Sequence, residues 1–328
     1  AEGCIFVMSY SPRQPMITRI LPPPLALLLL ITLFPHAASG ETANATSAEE
    51  HMSLTEAAIL GVVEGVTEYL PVSSTGHLLL AQRAMGIGTA SSQDKEAADA
   101  YAICIQGGAI IAVLGLYFQR VQQMLSGLLG RNPLGLRLFI GVAAGFLPAA
   151  VIGLLLNSTI KSYLFGPWPV VAAWLAGGVA ILAVSFSGKG RRATGGVSLE
   201  QLTWKMALFI GFAQCIAMWP GVSRSLVTIV GGVLVGLSLP AAVEFSFLLG
   251  VVTLGAATCY DALKHGETML RTFSPEALGV GILFAFVSAV LSIKWMVSYL
   301  NRHGLAIFGY YRVAIGLFTA SLLVLGVL

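Results

Sequence analysis

Gly61-Val-Val-Glu-Gly-Val-Thr-Glu-Tyr-Leu-Pro-Val-Ser-Ser-Thr-Gly-His77 is an apolar stretch that carries two carboxylates, a run of hydroxyls and an imidazole around one proline. A second stretch repeats its plan: Gly211-Phe-Ala-Gln-Cys-Ile-Ala-Met-Trp-Pro-Gly-Val-Ser-Arg-Ser-Leu-Val-Thr228. With Gly61 placed on Gly211, Glu64 falls on Gln214, Tyr69 on Trp219, Val72 on Val222 and Ser73 on Ser223. Ionisable groups are costly in lipid-embedded segments, so their presence marks a functional site. Two related copies place that site at a repeat interface.

The rest of the chain sets the class. Of its 328 residues, 56% are hydrophobic and 10% charged, with a mean hydropathy of +0.85. Soluble domains carry roughly 25% charged residues, so the reading is an all-α polytopic membrane protein. A net charge of +3 excludes a nucleic-acid partner. Cys4, Cys104, Cys215 and Cys259 lack metal-ligand spacing and read as buried thiols. At the N-terminus, Arg13 and Arg19 precede the apolar run Leu25 to Phe34, and Ala37-Ala38-Ser39-Gly40 follow. That order resembles a secretory signal peptide, and the run is short against the ~20 residues of a spanning helix. Residues 1–52 are therefore set apart as a signal-like segment and polar linker, with His36 and His51 facing solvent.

Six long apolar segments predict crossings at about 100–119, 137–157, 168–187, 240–261, 276–299 and 305–327. Residues 54–86 and 203–236 are also apolar but broken, at Leu70-Pro71 and at Trp219-Pro220-Gly221. Proline removes a donor and glycine loosens the backbone, so each region predicts two half-helices that enter and turn back. Irregular backbone at membrane depth is tolerated only inside protein or beside a wet cavity. The expected architecture is thus two repeats, 53–200 and 201–328, each a re-entrant hairpin plus three crossings. Three is odd, so the copies are expected to be inverted, with hairpins approaching from opposite faces. Arg120, Arg131 and Arg137, then Lys189, Arg191, Arg192 and Lys205, then Arg302 fall on one side, which the positive-inside rule makes cytoplasmic. Asp94, Lys95, Glu96 and Asp99 fall outside.

Glu64 and Glu68 stand four apart on a predicted helix, hence on one face. Two buried carboxylates repel unless a cation lies between them, which suits a divalent metal such as Mg2+ or Ca2+, or a general acid/base pair. Ser73, Ser74 and Thr75 follow Pro71 and open a new helix, whose free N–H groups make an anion site. His77 lies within one turn, so a nucleophile and its base are both at hand. In the second copy Ser223, Arg224 and Ser225 open another helix, with Thr228 one turn on. A guanidinium in such a segment needs an anion, and its planar fork matches phosphate or, as a structural pair, Glu68. Hydroxyls, carboxylates, arginine and two helix N-termini together point to phosphoryl chemistry.

The two motifs, Glu64 to His77 and Pro220 to Thr228, resemble the signatures of the undecaprenyl pyrophosphate phosphatases, bacterial membrane enzymes associated with bacitracin resistance. The resemblance covers about residues 53 to 328. It implies hydrolysis of undecaprenyl diphosphate to undecaprenyl phosphate and inorganic phosphate, recycling a lipid carrier for cell-wall synthesis. It also implies a multi-pass protein of the bacterial inner membrane, with its site toward the periplasmic face and a homodimer among the possible states. By resemblance, Glu64 and Glu68 form the essential acidic pair and hold the metal, Ser74 and His77 are catalytic, and Arg224 binds phosphate. Ser73, Thr75, Ser223, Ser225 and Thr228 line the substrate. Gln106 and Glu244 match further polar positions or serve as helix-packing groups. Ser74, His77 or water remains open as the nucleophile. Phosphatidic-acid-type phosphatases need a further histidine after the Ser-Arg element, and here none follows until His265, in a predicted loop with His303 beyond it. The rival from another class is a transporter or flippase of a lipid phosphate, since inverted repeats with broken helices are also a transporter signature.

Overall fold

A computed structural model describes residues 52–164, 166–187 and 195–326, with backbone alone for 157–163. The signal-like segment up to His51, with Cys4 and His36, and the basic residues Lys189, Arg191 and Arg192 lie outside the described residues. Eleven α-helices make up almost all of what is described. They are α1 (Leu54–Thr67), α2 (Ser74–Ala84), α3 (Ser92–Leu116), α4 (Phe118–Leu128), α5 (Pro133–Leu164) and α6 (Pro167–Phe186), then α7 (Trp204–Cys215), α8 (Arg224–Leu234), α9 (Leu239–Thr272), α10 (Pro275–His303) and α11 (Ala306–Val324). Six of them, α3, α5, α6, α9, α10 and α11, are long and apolar enough to cross a membrane.

Helix starts follow local chemistry. Ser53 caps α1 in a capping box with Glu56, and Ser91, Ser238 and Ser274 accept from backbone N–H groups at the heads of α3, α9 and α10. The interruptions fall where the prolines stand. Helix α1 stops before Leu70-Pro71, and α7 runs through a 3-10 turn, Ile216–Met218, into Trp219-Pro220-Gly221. Gly221 sits at φ 93, and a Cβ there would approach the Val170 backbone at 2.8 Å, so only glycine fits the second turn.

The broken segments begin at opposite ends of α9. Met52 shares a core with Met269 and Phe273 near the end of α9, while Val197, before α7, bridges to Leu237 just ahead of its start. Ion pairs mark the same two ends. Arg120 meets Glu244 at 2.7 Å and Glu200 at 2.9 Å at one, and His265 meets Glu96 at the other. Packing crosses between the halves. Helix α1 lies against α10, α7 against α5, α3 against α9 and α6 against α11. Both entry helices close these contacts through glycine: a side chain on Gly61 would strike Gly281 O, and one on Gly211 would strike Gly145 O. Ser288 and Ser292 then donate to Gly61 O and Gly65 O at 3.4 and 3.0 Å.

Two smaller expectations need correction. His265 lies within α9 and His303 in the last turn of α10, not in loops, because both helices run beyond the apolar stretch that marked them. Cys259 is exposed on the outside of α9, although Cys104 is buried. Glu244 pairs with Arg120 near the start of α9, two residues before Ser246, which meets Arg224 and Thr228.

Packing this close predicts a sharp contrast. Gly65→Leu should lower the thermal unfolding midpoint of the purified protein, since overpacking costs about 1–3 kcal/mol or more where backbone and Ser288 stand in the way. Gly115→Ala, with open space around it, should leave the midpoint unchanged or raise it slightly. Equal effects at both positions would show that α1 is not seated on α10 as described.

Candidate active site

The two breaks meet. Ser225 Oγ donates to Leu70 O at 2.9 Å and Ser223 Oγ to the same carbonyl at 3.3 Å, tying the head of α8 to the turn between α1 and α2. Trp174 Nε1 donates to Val72 O at 2.9 Å. From α11, Arg312 donates to Pro71 O at 3.4 Å, Ala173 O at 2.9 Å and Gly221 O at 2.8 Å. One guanidinium thus holds both turns and α6 while fully buried itself.

Where the turns meet, the reactive groups converge. Ser74 opens α2, and its hydroxyl donates to Glu68 Oε2, which Gln106 Nε2 also approaches at 3.3 Å. The other oxygen, Glu68 Oε1, pairs with Arg224 Nη2 at 3.3 Å. Arg224 heads α8, donates to Ser246 O at 3.0 Å and lies over the Tyr69 ring at 5.2 Å. Glu64, one turn before Glu68, is fully buried, and neither of its oxygens has a hydrogen-bond partner. Arg224 Nε is likewise buried and unpaired. A site with a vacant acceptor pair and a vacant donor, both out of water, is built for something that supplies the complement.

A cleft of about 740 Å³ reaches this floor. Glu64, Ser74, Thr75, Gln106 and Pro220 line its inner part, and Leu78, Leu79, Ala102, Ile103 and Val170 its walls. Arg83, Lys95, Asp99 and the turn Ile87 to Thr89 form the mouth, on the His265–Glu96 end of the molecule. Toward the opposite end the site is backed by a cluster of rings in edge-to-face contact. Tyr69 meets Phe247 edge-on at 5.1 Å and Phe247 meets Tyr117 at 5.8 Å, next to the Arg120–Glu244 pair.

The remaining expected residues take different places. Thr75 lines the cleft, but Ser223, Ser225 and Thr228 bond within the protein, Thr228 to Ser246 Oγ at 2.7 Å. Ser223 caps α8 as expected, accepting from Leu226 N–H. Ser73 does not cap: it sits at φ 76, and its side chain makes no cap hydrogen bond. A non-glycine residue there stores about 1–3 kcal/mol of strain. His77 is within a turn of Ser74 yet bonded elsewhere, Nδ1 to Ser73 O at 2.6 Å and Nε2 to the Tyr311 hydroxyl at 2.8 Å. Gln106 lies in the cleft with its Nε2 3.3 Å from Glu68 Oε2.

Sequence reading passed over Arg312 and Tyr311. The signal was present: an arginine inside the apolar run Ile307 to Leu317 falls under the same rule that singled out Arg224. It stands alone there, with no motif or carboxylate beside it, and its partners are backbone carbonyls from three distant segments.

Comparison with known proteins gives the family. Residues 57–318 match the family described as bacitracin resistance protein BacA. The chain is 47% identical over 262 residues to the undecaprenyl-diphosphatase of Sorangium cellulosum, covering 80% of this chain and 83% of that protein. It is 43% identical over 273 residues to the undecaprenyl-diphosphatase of Rhodopseudomonas palustris (strain BisB18), covering 82% and 97%. With undecaprenyl-diphosphatase 2 of Rhodospirillum rubrum it shares 40% over 264 residues, 80% of this chain and 93% of that one.

The joint role of Arg312 is testable by stability. Arg312→Met should strand three buried carbonyls, at roughly 1–3 kcal/mol each, and clearly lower the thermal midpoint in detergent. Lys205→Ala, at an exposed position, should not. An unmoved midpoint for the methionine variant would show that the turns hold together without these bonds.

Proposed function

The chain belongs to the bacitracin resistance protein BacA family, and from that premise we propose that its cleft hydrolyses undecaprenyl diphosphate to undecaprenyl phosphate and inorganic phosphate. The enzyme is an undecaprenyl-diphosphatase, an integral membrane hydrolase acting on a phosphoric anhydride. The observation that carries the mechanism is the Ser74 hydroxyl donating to a carboxylate, Glu68, whose other oxygen is held by Arg224.

Phosphoryl transfer asks mainly for positioning and for charge opposite the phosphoryl oxygens. Ser74 Oγ attacks the terminal phosphorus, Glu68 takes the hydroxyl proton, and the anhydride bond to the lipid monophosphate breaks. Water then releases inorganic phosphate from the serine. Arg224 and the N–H groups at the heads of α2 and α8 face the transferring group and stabilise its charge. His77 is a poor base for Ser74, because a backbone carbonyl engages one of its nitrogens and a tyrosine hydroxyl the other. The apolar walls, Leu78, Leu79, Ala102, Ile103 and Val170, take the first part of the polyprenyl chain.

A divalent cation fits the same place. Glu64 offers two unpartnered buried oxygens beside Glu68, and oxygen donors are what Mg2+ and Ca2+ select. Among the described residues no three acidic, histidine or cysteine side chains gather into a full metal cage, so Glu64 and Glu68 would hold the cation together with oxygens of the diphosphate. Once bound, the cation neutralises diphosphate charge and polarises the phosphoryl oxygens.

The two halves, 53–200 and 201–328, are inverted copies in this reading, which the opposed starts of α1 and α7 and the exchanged contacts α1–α10 and α7–α5 support. Arg131 and Arg137 lie at the end opposite the mouth, so the cleft faces the outer, periplasmic side of the inner membrane. The edge-to-face aromatic cluster behind the floor favours hydrolysis over transport through the site.

Purified protein should release phosphate from undecaprenyl diphosphate. Glu68→Gln, Ser74→Ala and Arg224→Ala should each lose on the order of 10²-fold or more in kcat, the usual scale for a proton acceptor or a charge-stabilising donor. Wild-type rates in all three would sink the assignment. A chelator should abolish release, and added Mg2+ or Ca2+ should restore it; activity indifferent to the chelator would remove the cation from the site.

A further inference from the structure

Ser73 and Ser223 occupy equivalent places at the heads of α2 and α8, yet their backbones differ. Ser223 has φ −70, its side chain caps the helix, and its carbonyl accepts the backbone N–H of Val227 at 3.2 Å. Ser73 has φ 76, a left-handed value that a side chain disfavours, and no cap bond. This unusual residue immediately precedes Ser74, so whatever holds Ser73 also aims the hydroxyl at Glu68.

The support runs through α11. Ser73 O can only accept, so His77 Nδ1, at 2.6 Å, carries the hydrogen. Nε2 of the neutral ring then presents its lone pair, and the Tyr311 hydroxyl donates to it at 2.8 Å. Tyr311 also stacks on the imidazole at 5.7 Å with the planes 10° apart, and Trp174 closes the other side edge-on at 5.1 Å. Trp174 in turn holds Val72 O, the carbonyl just before Ser73. His77 itself is fully buried and lines no part of the cleft.

We propose that Tyr311 is a positioning residue: through His77 it fixes the carbonyl of Ser73 in the left-handed turn and so keeps Ser74 directed at Glu68. His77 is then a strut with a fixed tautomer. The inference deepens the phosphatase reading and rests on Ser74 as the attacking group.

Two measurements test it. In the full-length wild type labelled with 15N-histidine, the signal assigned to His77 by its loss in His77→Asn should show the Nδ1–H tautomer at neutral pH, and Tyr311→Phe should disturb it. An Nε2–H tautomer would overturn the proposal, and this reading needs no activity and no stable variant of Tyr311. In phosphate release from undecaprenyl diphosphate, Tyr311→Phe should lower kcat about tenfold or more with KM within about twofold, the mark of misplacement without lost binding. Adding Ser73→Gly should recover at least about threefold, because glycine adopts positive φ without support. Unchanged kcat in Tyr311→Phe, or a loss that glycine does not recover, overturns the proposal. So does phosphohistidine trapped at His77. Should the wild type release no phosphate at all, the phosphatase reading fails separately, and the tautomer still decides whether Tyr311 holds His77.

Discussion

Breaking a helix inside an apolar protein frees backbone carbonyls where there is no water to receive them, and every distinctive feature of this chain follows from how that is solved. Leu70 O is taken by two serines of the other break, Val72 O by Trp174, and Pro71 O and Gly221 O by Arg312. Each turn makes a hydrogen bond of its own, Val72 N–H to Leu70 O and Val222 N–H to Trp219 O, and the remaining partners come from α6, α8 and α11. Each half of the chain completes the other. A guanidinium suits this role because its fixed fork reaches several carbonyls at once.

The same convergence makes the chemistry affordable at depth. Glu68 would be prohibitive as a lone buried charge, but Arg224, Ser74 and Gln106 surround it. Glu64 is left without hydrogen bonds in the same place. Under the proposed mechanism that contrast gives the pair two jobs, Glu68 engaging the Ser74 hydroxyl and Glu64 offering its oxygens to a cation. The cleft reaches them from the His265–Glu96 end past walls that include Leu78, Leu79 and Ile103, while Tyr69, Phe247 and Tyr117 meet edge-to-face behind. A charged headgroup with a long apolar tail matches that grading of polarity.

The two motifs share a plan along the chain, but their side chains differ in what they meet. Glu64 is matched by Gln214, which keeps a hydrogen bond to Thr253 and carries no charge. Ser223 caps its helix in ordinary geometry, whereas Ser73 is held in a strained turn beside the reactive hydroxyl. The second motif nevertheless reaches the first, where Arg224 pairs with Glu68.

Much of this was legible along the chain. The apolar lengths predicted six crossings, and Leu70-Pro71 and Trp219-Pro220-Gly221 marked both breaks, because proline and glycine act locally on the backbone. Glu64, Glu68, Ser74 and Arg224 stood out since charge and hydroxyls in apolar sequence need a reason. Tertiary structure alone decided what each group touches. It turned His77 away from Ser74 toward Tyr311, gave Glu68 rather than Glu64 the arginine, and made Arg312 the tie between segments up to 241 positions apart. Spacing along a helix reports which residues share a face, but the partner on that face is set by packing between helices distant in sequence.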